Sequence, residues 1–243
     1  MYPIICSIGP IHIYSYGLML AIAVVVCAFL MSRDAKTMGI DSQVIFDCVF
    51  WVILVGLLGA RLFYIILNWS FFTENPLEVI MIQRGGLAWQ GSLIVGSITG
   101  IVFIKRKKLP LLPMLDLAAP YIALGQAIGR VGCFLNGCCY GKASDHGIYF
   151  PVHDARLIPT QLYCSLGLVI IFFILKYYRH VEKIPGKIFL AYLILASALR
   201  FFIEFLRADH YRTFLGLSVY QWVSVVILTL ALGVYFKWPR RTP

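Results

Sequence analysis

The chain has 243 residues, of which 60% are apolar and only 13% charged, and its mean hydropathy is +0.84. A water-soluble protein of this size and composition would have too little polar surface to cover itself, which excludes an ordinary soluble domain and makes the bilayer the natural solvent. The formal net charge of +10 does not point to nucleic acid, because the Lys and Arg residues sit in short loops between apolar runs. That is the pattern of membrane topology.

The opening MYPIICSIGPIHIYSYG has no basic stretch ahead of its first apolar run and no small-residue cleavage site, so the first apolar segment is expected to stay in the mature protein. Cys6 lacks the charged and apolar signal regions that precede a lipid-modified cysteine. Seven apolar stretches follow, at 12–31, 44–68, 86–104, 113–133, 160–178, 187–206 and 216–236. Each is long enough to cross a hydrocarbon core of roughly 30 Å, which takes about 20 helical residues. The fourth contains APYIALGQAIGRVGCF, rich in small residues that let helices approach closely, and reads as an interior helix. With no Pro/Gly/Ser linker, low-complexity tract or internal repeat, residues 1–243 are expected to form a single membrane domain. Its class is all-α and polytopic.

Alternate loops and the tail carry thirteen basic residues, including Arg33 and Lys36, Lys105 to Lys108, Lys176 to Lys187, and Lys237, Arg240 and Arg241. The opposite loops hold five: Arg84, Lys142, Arg156, Arg207 and Arg212. The positive-inside rule then puts the N-terminus outside and the C-terminus in the cytoplasm, with an odd number of crossings. Arg61, Arg130 and Arg200 lie within or at the end of apolar spans, in the outer half. Charges at such depth face a protein interior or a wet cavity.

In RFFIEFLR, Arg200, Glu204 and Arg207 fall at i, i+4 and i+7, one helical stripe about 10 Å long. A buried ion-pair ladder that only fixes packing is one reading, yet the excess of arginine leaves positive charge for an anion. In GRVGCFLNGCCYG, Arg130, Cys133 and Asn136 share a face at i, i+3 and i+6, among Gly129, Gly132, Gly137 and Gly141. A close helix crossing with a snorkelling Arg130 explains the glycines well and the Arg/Asn pairing poorly. Tyr14, Tyr16, Gln90, Thr160, Gln161, Tyr163, Tyr220 and Gln221 come to the same level, although tyrosines there are commonly interface-belt residues. The planar fork of arginine matches phosphate oxygens, so the implied ligand is an anionic lipid of the outer leaflet.

Cys133, Cys138 and Cys139 cluster in sequence, with Cys164 on the next span. Packing thiols, one disulfide, and metal or redox chemistry all stay open; a disulfide would join Cys133 or Cys164, since a bond between the adjacent pair is strained. No histidine or further thiolate recurs at metal-ligand spacing, so neither a metal site nor a cofactor is expected.

The motifs IHIYSYGLM, GARLFYII, RGGLAWQGSLIVG, GRVGCFLNGCCYG, PTQLY, RFFIEFLR and LSVYQW run through most of the chain, one to each span. In them the sequence resembles the prolipoprotein diacylglyceryl transferases. These are bacterial inner-membrane enzymes that move a diacylglyceryl group from phosphatidylglycerol onto the lipobox cysteine of a preprolipoprotein signal peptide. The resemblance implies that Arg130 contacts the lipid headgroup and that Arg200, Glu204 and Arg207 form a second essential cluster, with Tyr16 and Asn136 in support. Depth in the membrane adds Gln90 to the catalytic candidates, and Arg61, Gly141, Gln161 and Gln221 to the substrate-binding ones.

Two departures stand out: Gln90 replaces a histidine and Cys133 an asparagine of the family pattern. Glutamine can orient a partner but cannot act as a general base. His146, His153, Tyr16 and a substrate thiol acidified by the arginines are the candidates to replace it. A catalytically divergent paralogue that binds or moves anionic phospholipid is the rival reading. An intramembrane protease lacks a Ser/His or paired-Asp arrangement.

Overall fold

A computed structural model describes residues 1–8, 11–81, 85–208 and 216–238. The basic residues Arg84, Arg212, Arg240 and Arg241 of the topology argument lie outside them. A hairpin of β1 (Ile4–Ile8) and β2 (Ile11–Tyr14) leads into α1 (Ser15–Lys36), and α2 (Ser42–Leu67) follows. A short α3 (Trp69–Glu74) and a 3-10 turn (Pro76–Ile80) precede α4 (Trp89–Arg106) and α5 (Leu111–Asn136). A second hairpin, β3 (Ala143–Phe150) with β4 (Ala155–Leu157), precedes α6 (Thr160–Val181), α7 (Lys187–Glu204) and α8 (Val219–Lys237).

Seven helices of 18 to 26 residues thus occupy the predicted spans among the described residues. Five of them, α1, α2, α5, α6 and α8, are long and apolar enough to cross a membrane. The architecture is helical with two small antiparallel hairpins, which the sequence reading of an all-α chain did not anticipate. The first hairpin explains why α1 begins at Ser15 rather than residue 12: Ile11 to Tyr14 pair with β1.

Local chemistry sets the helix ends. The Asp41 side chain accepts from the Gln43 N–H at the start of α2, and Ser218 and Gln221 form a reciprocal capping box at the start of α8. The start of α7 is capped from another helix, where the buried Asp116 carboxylate accepts from the Gly186 N–H at 2.6 Å and the Phe189 N–H at 2.8 Å. Such a buried carboxylate is tolerated because it satisfies donors that a helix start leaves without partners.

The chain divides into two compact units, Met1–Met31 with Leu115–Pro243, and Ser32–Met114. In the first, α5, α6 and α7 pack through Ala119, Ala123, Ile171, Leu175, Ile188 and Tyr192. Helix α1 lies on α5 where there is no side chain to hold it off: a Cβ on Gly132 would meet Met19 Cβ at 3.0 Å and the Tyr16 ring at 3.3 Å. In the second unit, α2 and α4 cross so closely at Gly59 and Gly91 that a Cβ on Gly91 would overlap the Gly59 carbonyl. Large apolar side chains point away from both cores: Leu166, Phe173 and Leu230 are each more than 60% exposed. A hydrocarbon solvent removes the cost of that exposure.

Candidate active site

Alternating helix direction brings the end of α5, the start of α6, the end of α7 and the start of α8 together within the first unit. Here Arg200 Nη2 pairs with the Glu204 carboxylate at 3.1 Å, and the arginine stacks over the Tyr220 ring at 5.1 Å. Glu204 is buried and its other oxygen accepts from the Ser218 hydroxyl at 2.9 Å. Ser218 is fixed in turn by Gln221, whose Oε1 accepts the Ser218 N–H at 2.9 Å. The cap of α8 therefore holds Glu204, and Glu204 holds Arg200.

Arg130 and Arg207 lie near enough for their charges to act on Arg200 and on each other. Of these, Arg200 pairs with Glu204, and its Nη1 is buried with no hydrogen-bond acceptor among the described residues. A buried donor of this kind is costly unless something accepts from it, and a phosphate oxygen is the matching group.

The segment after α5 is folded by a single motif. Gly137, at φ +76°, ends the helix; its N–H donates to Phe134 O and that of Cys138 to Cys133 O, both at 3.1 Å. This is the Schellman arrangement, which folds the second residue past the helix back over the last turn and so brings Cys138 to Cys133. Cys139 follows at φ +64°, a left-handed conformation that costs an L-residue about 1 kcal/mol. The three sulfurs end within 4.8 Å of one another. Hydrogen bonds from Cys133 and Cys138, and then the charges of Arg207 and Arg130, hold the Cys139 thiol below its ordinary pKa.

Neighbouring elements pin this turn. The Gln161 amide donates to Cys138 O at 2.6 Å, Thr160 Oγ1 to Cys139 O at 2.8 Å, and the His153 ring bonds Gly137 O at 2.9 Å. Gly141 pairs with Arg207 as an antiparallel bridge, and the Lys142 N–H donates to Leu206 O at 2.9 Å. A Cβ on Gly141 would come within 2.7 Å of the Leu206 carbonyl, so this close approach requires glycine.

Of the sequence-derived candidates, Arg130, Arg200, Glu204 and Arg207 come together electrostatically, and Tyr16 lies within reach of Arg130 and the three thiols. Asn136, the last residue of α5, hydrogen-bonds Cys138. Gly141, Gln161 and Gln221 surround the cluster through the backbone and capping contacts just described. Arg61 and Gln90 belong to the second unit. There the buried Arg61 guanidinium donates to the carbonyls of Glu78, Val79, Gly85 and Gly86, holding the stretch that leads into α4. Gln90 is exposed on the first turn of α4.

His146 is exposed on β3, and His153 packs on Tyr140 at 4.2 Å between ring centroids. All seven cysteines are free thiols. Ser218 escaped the sequence reading, although the pattern SVYQ ahead of an apolar run is a capping-box signature. The three cysteines already cluster in the sequence, but the contact among their sulfurs depends on a turn and not on linear spacing.

Fold and site together define a membrane-embedded helical protein in which Arg130, Arg200 and Arg207 gather at one end of the first unit's helices. The prolipoprotein diacylglyceryl transferase family profile matches residues 3–237. A phosphatidylglycerol–prolipoprotein diacylglyceryl transferase of Finegoldia magna is 37% identical over 237 residues, covering 97% of this chain and 95% of its own. Enzymes of the same name from Clostridium tetani (34% identical; 97% and 96% covered) and Streptococcus pyogenes (35%; 97% and 94%) match over the same extent. The chain belongs to the prolipoprotein diacylglyceryl transferase family.

Proposed function

We propose that this chain transfers the diacylglyceryl group of phosphatidylglycerol to the lipobox cysteine thiol of a preprolipoprotein, at a site facing the outer leaflet of the bacterial inner membrane. The carrying observation is the buried Arg200 Nη1 donor beside the Arg200–Glu204 pair, with the charges of Arg130 and Arg207 acting on the same group, on a chain that matches the transferase family over residues 3–237. The names of the relatives supply the two substrates.

In the reaction, the substrate sulfur forms a bond to the terminal glyceryl carbon and the carbon–oxygen bond to the phosphate breaks. The electron pair leaves on glycerol phosphate, and the thiol proton ends on that phosphate or in water. Negative charge therefore grows on the leaving group. Arg130, Arg200 and Arg207 serve by neutralising it and by holding the carbon in line with the sulfur. Glu204 is a positioning residue for Arg200, and Ser218 and Gln221 position Glu204.

The basic residues of alternate loops support seven crossings with the N-terminus outside and the C-terminus cytoplasmic, and the two compact units form one membrane domain on this reading. Purified protein given phosphatidylglycerol and a lipobox peptide is expected to yield a thioether-linked diacylglyceryl peptide by mass spectrometry. The Arg130→Ala variant, or a peptide with serine for its cysteine, is expected to give none. No product from the unaltered protein, where a relative is active, would contradict the proposal.

A further inference from the structure

The cluster of three thiols has no part in the chemistry above. Resting on the transferase reading for its role but not for its ligands, we infer that Cys133, Cys138 and Cys139 bind one zinc ion whose fourth position receives the sulfur of the incoming substrate cysteine.

The geometry is close to what the ion requires. Tetrahedral zinc with Zn–S near 2.3 Å places its sulfurs about 3.8 Å apart, so sulfurs within 4.8 Å reach it by inward shifts of no more than about 0.6 Å each. Three sulfur ligands select a thiophilic ion over magnesium or calcium. Three protein ligands and one open position are the arrangement of catalytic zinc sites, whereas structural sites close with four. These three cysteines form the one such group found among the described residues.

The surroundings suit the ion. Zinc with three thiolates carries one net negative charge, and Arg130 and Arg207 stand beside Cys139 to balance it. Gln161, Thr160 and His153 fix the carbonyls of the ligand-bearing turn, the kind of supporting shell that holds ligands in register. Gln161 is 1% exposed and its Oε1 has no donor among the described residues, which leaves an acceptor beside the thiols for a substrate N–H.

The reaction also needs what the ion offers. Gln90 cannot take a proton from the substrate thiol, and a thiol bound to zinc is deprotonated outright. The substrate R–SH binds as R–S⁻ and its proton passes to water. A sulfur lone pair then forms the bond to the glyceryl carbon as the carbon–oxygen bond breaks toward glycerol phosphate. The neutral thioether, a weaker ligand than a thiolate, leaves the ion. No electron is gained or lost, so neither oxidant nor reductant is required.

The test uses the full chain, purified in detergent under reductant. Elemental analysis is expected to find one zinc per chain, and cobalt(II) in its place is expected to give sulfur-to-metal charge-transfer absorption. Cys133→Ser, Cys138→Ser and Cys139→Ser should each lose both signals while keeping helical circular dichroism, and Cys6→Ser should keep both. No bound metal in the unaltered protein, or a disulfide within the trio under reductant, overturns the site. Chelation is expected to stop thioether formation and zinc to restore it; full activity in the zinc-free protein overturns the role in thiol activation. Zinc bound normally with no transfer under any condition refutes the transferase reading and leaves the metal site standing.

Discussion

At the scale of single residues, the proposed reaction assigns Arg130, Arg200 and Arg207 to the lipid phosphate and Glu204, Ser218 and Gln221 to holding Arg200 in place. On the proposed mechanism Arg200→Ala removes a donor to the growing charge, and losses from such removals run to about 10²- to 10³-fold in kcat. Arg200→Lys is expected to recover little of this, because an ammonium cannot both pair with Glu204 and present a second planar donor. Ser218→Ala should lower kcat less than Arg200→Ala, and the Glu204→Ala, Ser218→Ala double variant should be no worse than Glu204→Ala alone, since both act through one carboxylate. Steady-state kinetics of the four proteins checks this. Gln90→His is expected to leave activity intact or raise it; complete loss would show that the glutamine has a role histidine cannot fill. The arginines and Glu204 were legible in the sequence because charge deep in an apolar span is conspicuous. Ser218 carries only the capping-box pattern SVYQ in the sequence, which marks the start of α8 but not the hydroxyl's second bond, to Glu204 on α7.

At the scale of elements, close approaches without side chains decide how helices and turns meet. Gly91→Ala places a methyl against the Gly59 carbonyl and near Phe63 Cβ, and forcing α2 and α4 apart is expected to cost roughly 1–3 kcal/mol. Thermal unfolding in detergent measures it. Gly141→Ala should impair activity as well as stability, because its methyl meets the Leu206 carbonyl, next to the backbone of Arg207 that bridges to Gly141. The turn between α6 and α7 gives a pH-dependent test. Burial tends to raise the Glu182 carboxyl, but the Ile184 N–H, the Lys187 ammonium, the Tyr178 hydroxyl and the Lys183 N–H outweigh it and hold its pKa below the usual 4.5. A lowered carboxylate adds stability above the unfolded value that is lost as pH falls through the folded one. Glu182→Gln should therefore lower the melting temperature at pH 7, by a difference that shrinks as pH falls below 4.5. Helix existence was legible from apolar runs. The hairpins were not, since Ile4 to Tyr14 continues the apolar character of α1, and only the pairing of β1 with β2 distinguishes strand from helix there.

At the scale of the whole molecule, composition alone identified the solvent, and outward-facing residues such as Phe173 and Leu230 need hydrocarbon around them. The motif order read from the sequence spans the same extent as the family match over residues 3–237. The sequence clusters Cys133, Cys138 and Cys139, and what it does not disclose is the turn that brings their sulfurs together at the end of α5, built on the left-handed conformations of Gly137 and Cys139. A reporter fused to the C-terminus is expected to read cytoplasmic, and a periplasmic reading would reverse the proposed topology. The most direct measurement counts both products of one reaction, using phosphatidylglycerol labelled in its headgroup and a lipobox peptide in vesicles with the purified chain. Glycerol phosphate and diacylglyceryl peptide should appear in equal amounts with the unaltered protein, and neither with Arg130→Ala. Headgroup release without peptide modification, or equal turnover by both proteins, would contradict an arginine-lined transferase site.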